Sequence, residues 1–210
     1  MNSGRLTVAK RSRWLPSVVL LLAILFFPAV MLAESALLIR NLAERKVTEL
    51  PGGDLYWRIE KFSSKADATV AAGQWSLVAE SYDAVWLFTL GPKTGPTSKG
   101  IKIAEVGPIP RVIAKEYLLR INAASGQPGS TTPIHSHPGS EAYFVLRGIQ
   151  TIRSPRGLRS VAAGTGEPGN GVNIPMQVSS SGTEELQALV MFVLDATKPF
   201  SSPECFPAQN

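Results

Sequence analysis

Two histidines and a glutamate crowd one short stretch of this chain: His135, His137 and Glu141. In an extended segment alternate side chains share a face, so His135 and His137 point the same way and Ser136 points opposite. Pro138-Gly139 turns the chain, and a new strand begins near Glu141. Along it Glu141, Tyr143 and Val145 line one face, and Ala142, Phe144 and Leu146 the other. Two imidazoles and a carboxylate turned toward one interior make a facial donor set. Such a set suits one divalent ion (Fe, Mn, Ni or Zn), with positions left for water and substrate. Without an ion the same groups could act as a His–Glu acid–base pair. A third reading is a vestige inside a purely binding pocket. The chain has only 2 histidines, so no third imidazole can join them.

The wider segment, Gly129 to Gly148, has the spacing G-x5-H-x-H-x3-E-x6-G. It resembles the first signature of the cupin superfamily at every fixed position. The resemblance implies a jelly-roll β-barrel, with His135, His137 and Glu141 as metal ligands and Gly129 and Gly148 at turns. In a metal-dependent enzyme Tyr143 is expected either to support the ligands from behind or to contact the substrate. Cupins also dimerise through sheet edges, so the resemblance allows a homodimer. The second signature, P-x-G-x2-H-x3-N, is matched only in outline by Ala163 to Gly182. There Met176 takes the histidine position and Ser180 the asparagine position. Methionine is a soft, weak donor for these metals, so Met176 is expected to form an apolar pocket wall that touches the substrate. Gln177 is a harder donor, but strand alternation turns it to the opposite face.

These residues need a frame of short strands. The 210 residues suffice for one domain and a modest extra segment, and 44% apolar against 18% charged is a globular balance. The 18 glycines and 16 prolines gather in the second half, between short apolar runs, which favours many turns. Strands are predicted at 55–59, 75–79, 84–90, 101–106, 117–123, 142–146, 150–153, 158–162, 176–178 and 186–194. The pair 75–79 and 84–90 reads as a hairpin, with Trp75 and Trp86 in its core. Gly107-Pro108-Ile109-Pro110 is expected to break the fourth of these strands. A helix is predicted over 34–50 from the spacing of Leu37, Leu38, Leu42 and Val47, and a short one over 63–72 behind a capping serine. Arg147, Arg153, Arg156 and Arg159 read as a solvated face rather than an anion site. Residues 197–210, with three prolines after Lys198, read as a strap or tail.

From Leu15 to Ala33 no residue is charged. As a helix this run is roughly 28 Å long, close to the hydrocarbon thickness of a bilayer. Arg5, Lys10, Arg11 and Arg13 precede it and account for most of the formal charge of +5. Basic residues stay on the cytoplasmic side, so the remainder of the chain is expected outside the cytoplasm. Two readings stand: an uncleaved transmembrane anchor, or a signal segment removed near Ala33 with a secreted or periplasmic product. Because the basic residues cluster there, the charge reflects membrane topology and not a nucleic-acid footprint. Cys205 is the single cysteine, so neither an internal disulfide nor a Cys-based zinc site can form.

The resulting expectation is a mainly β chain. A basic segment covers 1–14 and the transmembrane or signal helix 15–33. A helical linker and small α/β extension cover 34–74, a single cupin jelly-roll barrel 75–197, and a tail 198–210. Its function is expected to be small-molecule binding in the barrel, as a divalent-metal-dependent oxygenase- or isomerase-type enzyme or as a non-catalytic ligand sensor.

Overall fold

The computed structural model describes residues 1, 4, 35–96 and 98–207. The apolar run at 15–33, and the anchor or signal reading placed on it, lie outside the described residues. Among the described residues no helix is long and apolar enough to cross a membrane.

In chain order the elements are β1 (Leu38–Val47), β2 (Leu55–Phe62), α1 (Lys65–Ala71), β3 (Ser76–Ser81), β4 (Ala84–Gly91), β5 (Ile101–Ile109) and β6 (Tyr117–Gly126). There follow β7 (His135–Ser136), β8 (Gly139–Arg147), β9 (Ile149–Ser154), β10 (Gly157–Ala162), β11 (Gly166–Pro168), β12 (Gln177–Ser180), β13 (Leu186–Asp195) and β14 (Ser202–Pro203). They form a five-stranded sheet, β1-β6-β13-β8-β11, a four-stranded sheet, β3-β4-β2-β5, a three-stranded sheet, β10-β9-β12, and the pair β14-β7.

The five-stranded sheet is the middle layer, because its strands carry apolar side chains on both faces. One face packs Leu119, Ile121, Phe144, Leu189, Met191 and Val193 against Trp57, Ile59, Trp86 and Phe88 of the four-stranded sheet. The other face packs Ala124, Tyr143, Val145 and Ala188 against Ile152 and Val161 of the three-stranded sheet. No continuous ladder closes these sheets into a barrel among the described residues. Isolated bridges, Thr131 to Ser179 and His135 to Met176, join the segments along the open side.

Three expectations change. The helix predicted over 34–50 is the strand β1, paired with β6 from Leu38 opposite Ser125 to Val47 opposite Tyr117. Helical spacing is a weak signal that tertiary pairing overrides. Here the bare edge of β6 needs a partner. A register shift between Asn41 and Ala43 fits β1 to it, and Arg40, Glu44, Arg45 and Lys46 leave a charged outer edge. The small extension is part of a full third layer: β2 is a central strand, between β4 and β5. The boundary expected at residue 75 therefore falls inside shared sheets. Finally, β5 runs on through Gly107-Pro108 to Ile109, which an edge strand tolerates because its outer N–H groups need no partner.

Other local readings hold. Ser64 caps α1, its side chain accepting the Asp67 N–H at 3.1 Å. The β3–β4 hairpin turns on Tyr82-Asp83, with φ of 53° and 54°. A two-residue turn of the primed type requires such positive angles. Gly148, at φ 75°, makes the β8–β9 turn that the motif assigned to it.

Candidate functional site

A cavity of about 410 Å³ lies on the three-stranded side of the middle sheet. Strand alternation builds it. On β8 the residues Glu141 and Tyr143 face the cavity, while Ala142 and Phe144 face the opposite core. On β13 Val190 and Phe192 face it, while Leu189, Met191 and Val193 turn away. The β7 segment brings His135 and His137 to its rim, so the four motif residues His135, His137, Glu141 and Tyr143 all line one space.

Each imidazole is held by a backbone carbonyl. His135 Nδ1 lies 2.9 Å from the Pro133 oxygen, and His137 Nδ1 lies 2.7 Å from the Phe200 oxygen. A carbonyl can only accept, so Nδ1 carries a hydrogen in both rings, and in the neutral form of either ring Nε2 is the lone-pair nitrogen. The rings stand edge to face, their centroids 5.0 Å apart. His137 also packs edge-on against Phe192 and Phe200, at 4.9 and 4.8 Å. This apolar burial pushes its pKa down to about 4, against which the Phe200 hydrogen bond acts only partly. Near neutrality His137 is an uncharged acceptor.

Glu141 is buried in a different way. Its Oε1 accepts a long bond from the Asn170 N–H at 3.4 Å, and the Gly169 N–H donates to its carbonyl at 2.8 Å. A Cβ at Gly169 would overlap the Glu141 side chain, so only glycine lets that loop close over it. Burial pushes the Glu141 pKa up to about 7, with the Asn170 bond and the more distant Arg159 charge opposing. The pocket thus holds a carboxyl group poised to carry a proton near pH 7, beside a neutral imidazole. Environments that drive two titrating groups apart in this manner define an acid and an acceptor.

The residue types predicted for a metal are present, but the geometry does not gather them. A 2-His-1-carboxylate centre needs its three donors converging on one point. Among the described residues no three His, Cys, Asp or Glu side chains do so. His137 donates its Nδ1–H to the Phe200 carbonyl, which leaves Nε2 free, and Glu141 Oε1 accepts from the Asn170 N–H.

Met176 is placed differently from expectation. It exchanges both backbone hydrogen bonds with His135, at 2.9 and 2.8 Å, yet its side chain is not among the lining residues. It packs behind the wall with Tyr143, Ile152 and Val161, and its sulfur receives the Asn170 amide at 3.8 Å. None of the four clustered arginines lines the cavity; Arg147 pairs with Glu184 and Arg153 lies over the Phe206 ring.

Sequence reasoning missed three contributors. Gln150 lines the cavity from β9, and its Oε1 is buried without a hydrogen-bond partner, as is the Tyr143 hydroxyl. A polar residue in the buried register of Gln150-x-Ile152-x-Ser154 was the available signal. Phe200 forms a wall from the C-terminal strap, and Asn170 holds Glu141; neither position has a local pattern that marks it.

No protein-family model matches the chain, and no curated protein does. Among solved structures it is similar to a cupin-like protein from Thermotoga maritima: 20% identity over 41% of this chain and 64% of that one, TM-score 0.37. It is also similar to a cupin superfamily protein from Desulfitobacterium hafniense: 14% identity, 37% and 68% of the two chains, TM-score 0.33. A DMSP lyase from Ruegeria pomeroyi is a further one: 21% identity, 40% and 42%, TM-score 0.36. The chain spans under two thirds of the first and third. Cupin-like proteins, the family whose motif the Gly129–Gly148 spacing resembles, are thus among the structures it is similar to.

Proposed function

We propose that this chain is a cupin-like protein that binds an uncharged, largely apolar small molecule bearing one hydroxyl or amide group. The observation that carries this reading is the pairing of apolar walls with two buried, unpartnered oxygens, on Tyr143 and Gln150. A buried polar atom without a partner costs about 1–3 kcal/mol. A ligand hydroxyl or amide can donate to Gln150 Oε1 and accept from the Tyr143 hydroxyl, offsetting both costs. The lining contains no Lys or Arg, so a carboxylate or phosphate would meet no counter-charge. Above neutrality the Glu141 carboxylate would repel it.

A catalytic role is the second reading, and the proton-holding power of Glu141 near pH 7 favours it. Glu141 would give or take a proton at the bound molecule while the His137 Nε2 lone pair accepts a hydrogen bond, the pattern of an isomerisation. The charge-free run at 15–33 behind four basic residues supports placing this pocket beyond a membrane.

The test is a titration of the full-length chain with four probes of one shape: 2-naphthol, naphthalene, 2-naphthoate and 2-naphthylmethylammonium. We expect 2-naphthol to bind at least about tenfold more tightly than the other three, the equivalent of one good polar contact. Equal binding of 2-naphthoate, or a preference for the ammonium, would reject the uncharged class. Elemental analysis of the same preparation adds a second arm: a stoichiometric divalent metal that is lost in His135→Ala would favour the metal-dependent reading instead.

A further inference from the structure

The C-terminal strap is stitched to the histidine segment more closely than a tail requires. Its strand β14 pairs with β7, Ser202 opposite Ser136 and Pro203 opposite His135. The Glu204 N–H donates to the Ile134 carbonyl at 3.0 Å, and the Ser136 hydroxyl donates to Glu204 Oε1 at 2.8 Å. Ahead of this clamp the Phe200 ring packs edge-on against both His137 and Phe192, and the Arg120 guanidinium lies 4.0 Å from its centroid. Phe200, Ser201 and Pro203 are themselves part of the cavity wall.

We infer that this strap is a working part of the site. The Phe200 carbonyl is the positioning group that sets the His137 tautomer, and the Ser136–Glu204 clamp keeps it there. A neutral imidazole has one N–H, and the hydrogen bond made by one nitrogen decides which. With Phe200 O 2.7 Å from Nδ1, the hydrogen is fixed on Nδ1 and Nε2 is left as the acceptor. Remove the strap and Nδ1 loses its acceptor. His135 does not share this dependence, because its carbonyl partner, Pro133, belongs to its own segment. The two rings therefore divide the labour: one is set locally, the other by a residue 63 positions further along the chain. The same strap walls the cavity, so a bound molecule leaves faster when it loosens. Only this last consequence rests on the ligand-binding reading.

The chain's 2 histidines make the test direct. Ring 15N spectra of the full-length, histidine-labelled protein should show both rings as Nδ1–H, with His135→Gln assigning the signals. In a chain ended at Lys198, His137 should move to the Nε2–H or an averaged pattern while His135 keeps its own. An unchanged His137 pattern in a folded truncated chain would overturn the inference, as would an Nε2–H pattern in the intact one. Should the truncated chain fail to fold, the double substitution Ser136→Ala with Glu204→Ala releases the clamp alone. It should average the His137 pattern and speed 2-naphthol dissociation by about tenfold, the change falling mainly in the off-rate. No change in either overturns the proposal. Failure of 2-naphthol to bind the intact chain would count against the proposed function, and the ring pattern would still decide the strap.

Discussion

The two faces of the middle sheet share strands but not chemistry. Toward the four-stranded sheet, β6, β8 and β13 present Leu119, Ile121, Phe144, Leu189, Met191 and Val193. Toward the three-stranded sheet the intervening positions present Asn122, Glu141, Tyr143, Val190 and Phe192. A shift of one residue along any strand exchanges a sealed core for a pocket. The sealed face gives the strands their rigidity, and the pocket face uses it. Groups such as Glu141 and Tyr143, whose burial is costly, are tolerable because the opposite side of the same backbone is densely packed.

Neighbouring substitutions on β13 should expose this division with the largest effect. Leu189 is fully buried in the sealed core, and Val190 lines the cavity. Leu189→Ala should destabilise the chain by about 3–4 kcal/mol, the transfer and cavity cost of a sealed site. Val190→Ala, against existing space, should cost about 1 kcal/mol. Urea unfolding midpoints measure both. Equal losses would mean that the pocket face is as closely packed as the other.

The second test concerns charge. The Glu141 pKa is raised from 4.5 to about 7 in the fold. Between those values the native state holds a proton that the unfolded chain has released. Its contribution to stability is therefore complete below pH 4.5 and is lost as pH rises through about 7. The His137 pKa is lowered from 6.5 to about 4, so its contribution is complete above pH 6.5 and is lost as pH falls toward 4. The two slopes oppose each other across pH 4.5–6.5. Glu141→Gln removes one of them. The variant should gain up to about 3 kcal/mol over the parent at pH 8. It should also lose stability on acidification from pH 6.5 to 4.5, where the parent stays nearly level. Parallel profiles for the two proteins would show that Glu141 is not the group that titrates.

Much of this contrast is legible in the sequence, and the rest is not for physical reasons. Alternation alone assigned Glu141 and Tyr143 to one face and Ala142 and Phe144 to the other, because a strand's period of two leaves no third choice. The hairpin around Tyr82-Asp83 and the cap at Ser64 were readable as local chemistry. The strand β1 was not, because its leucines fit a helix and only the open edge of β6, eighty residues away, decides otherwise. The orientation of the donor set was not legible for a similar reason. Residue types and spacing place His137 and Glu141 in one cavity, but the Phe200 carbonyl and the Asn170 N–H, which orient them, come from distant segments. Met176 bridges His135, yet neither the motif alignment nor the register says which side chain reaches the cavity surface and which stops behind it.

The smallest expected effect separates a binding group from a structural one. Tyr143 is 1% exposed, and its hydroxyl makes no hydrogen bond. Burial pushes its pKa above the usual phenol range, with the nearby Glu141 charge adding to the effect, so it is a neutral donor throughout the physiological range. On the sealed face such an orphaned group would be a defect, and deleting it would stabilise the chain and change nothing else. On the pocket face its deletion has a second consequence. Tyr143→Phe should leave the unfolding midpoint unchanged or raise stability by up to about 1 kcal/mol, since no intramolecular bond is lost. It should weaken 2-naphthol by about five- to tenfold while leaving naphthalene unaffected, because only the hydroxyl-bearing probe can use the phenol. Equal losses for the two probes would make Tyr143 a packing residue. A pronounced drop in stability would mean that its oxygen already has a partner within the fold. The comparison between faces would then have to be redrawn at β8, with Tyr143 counted among the core.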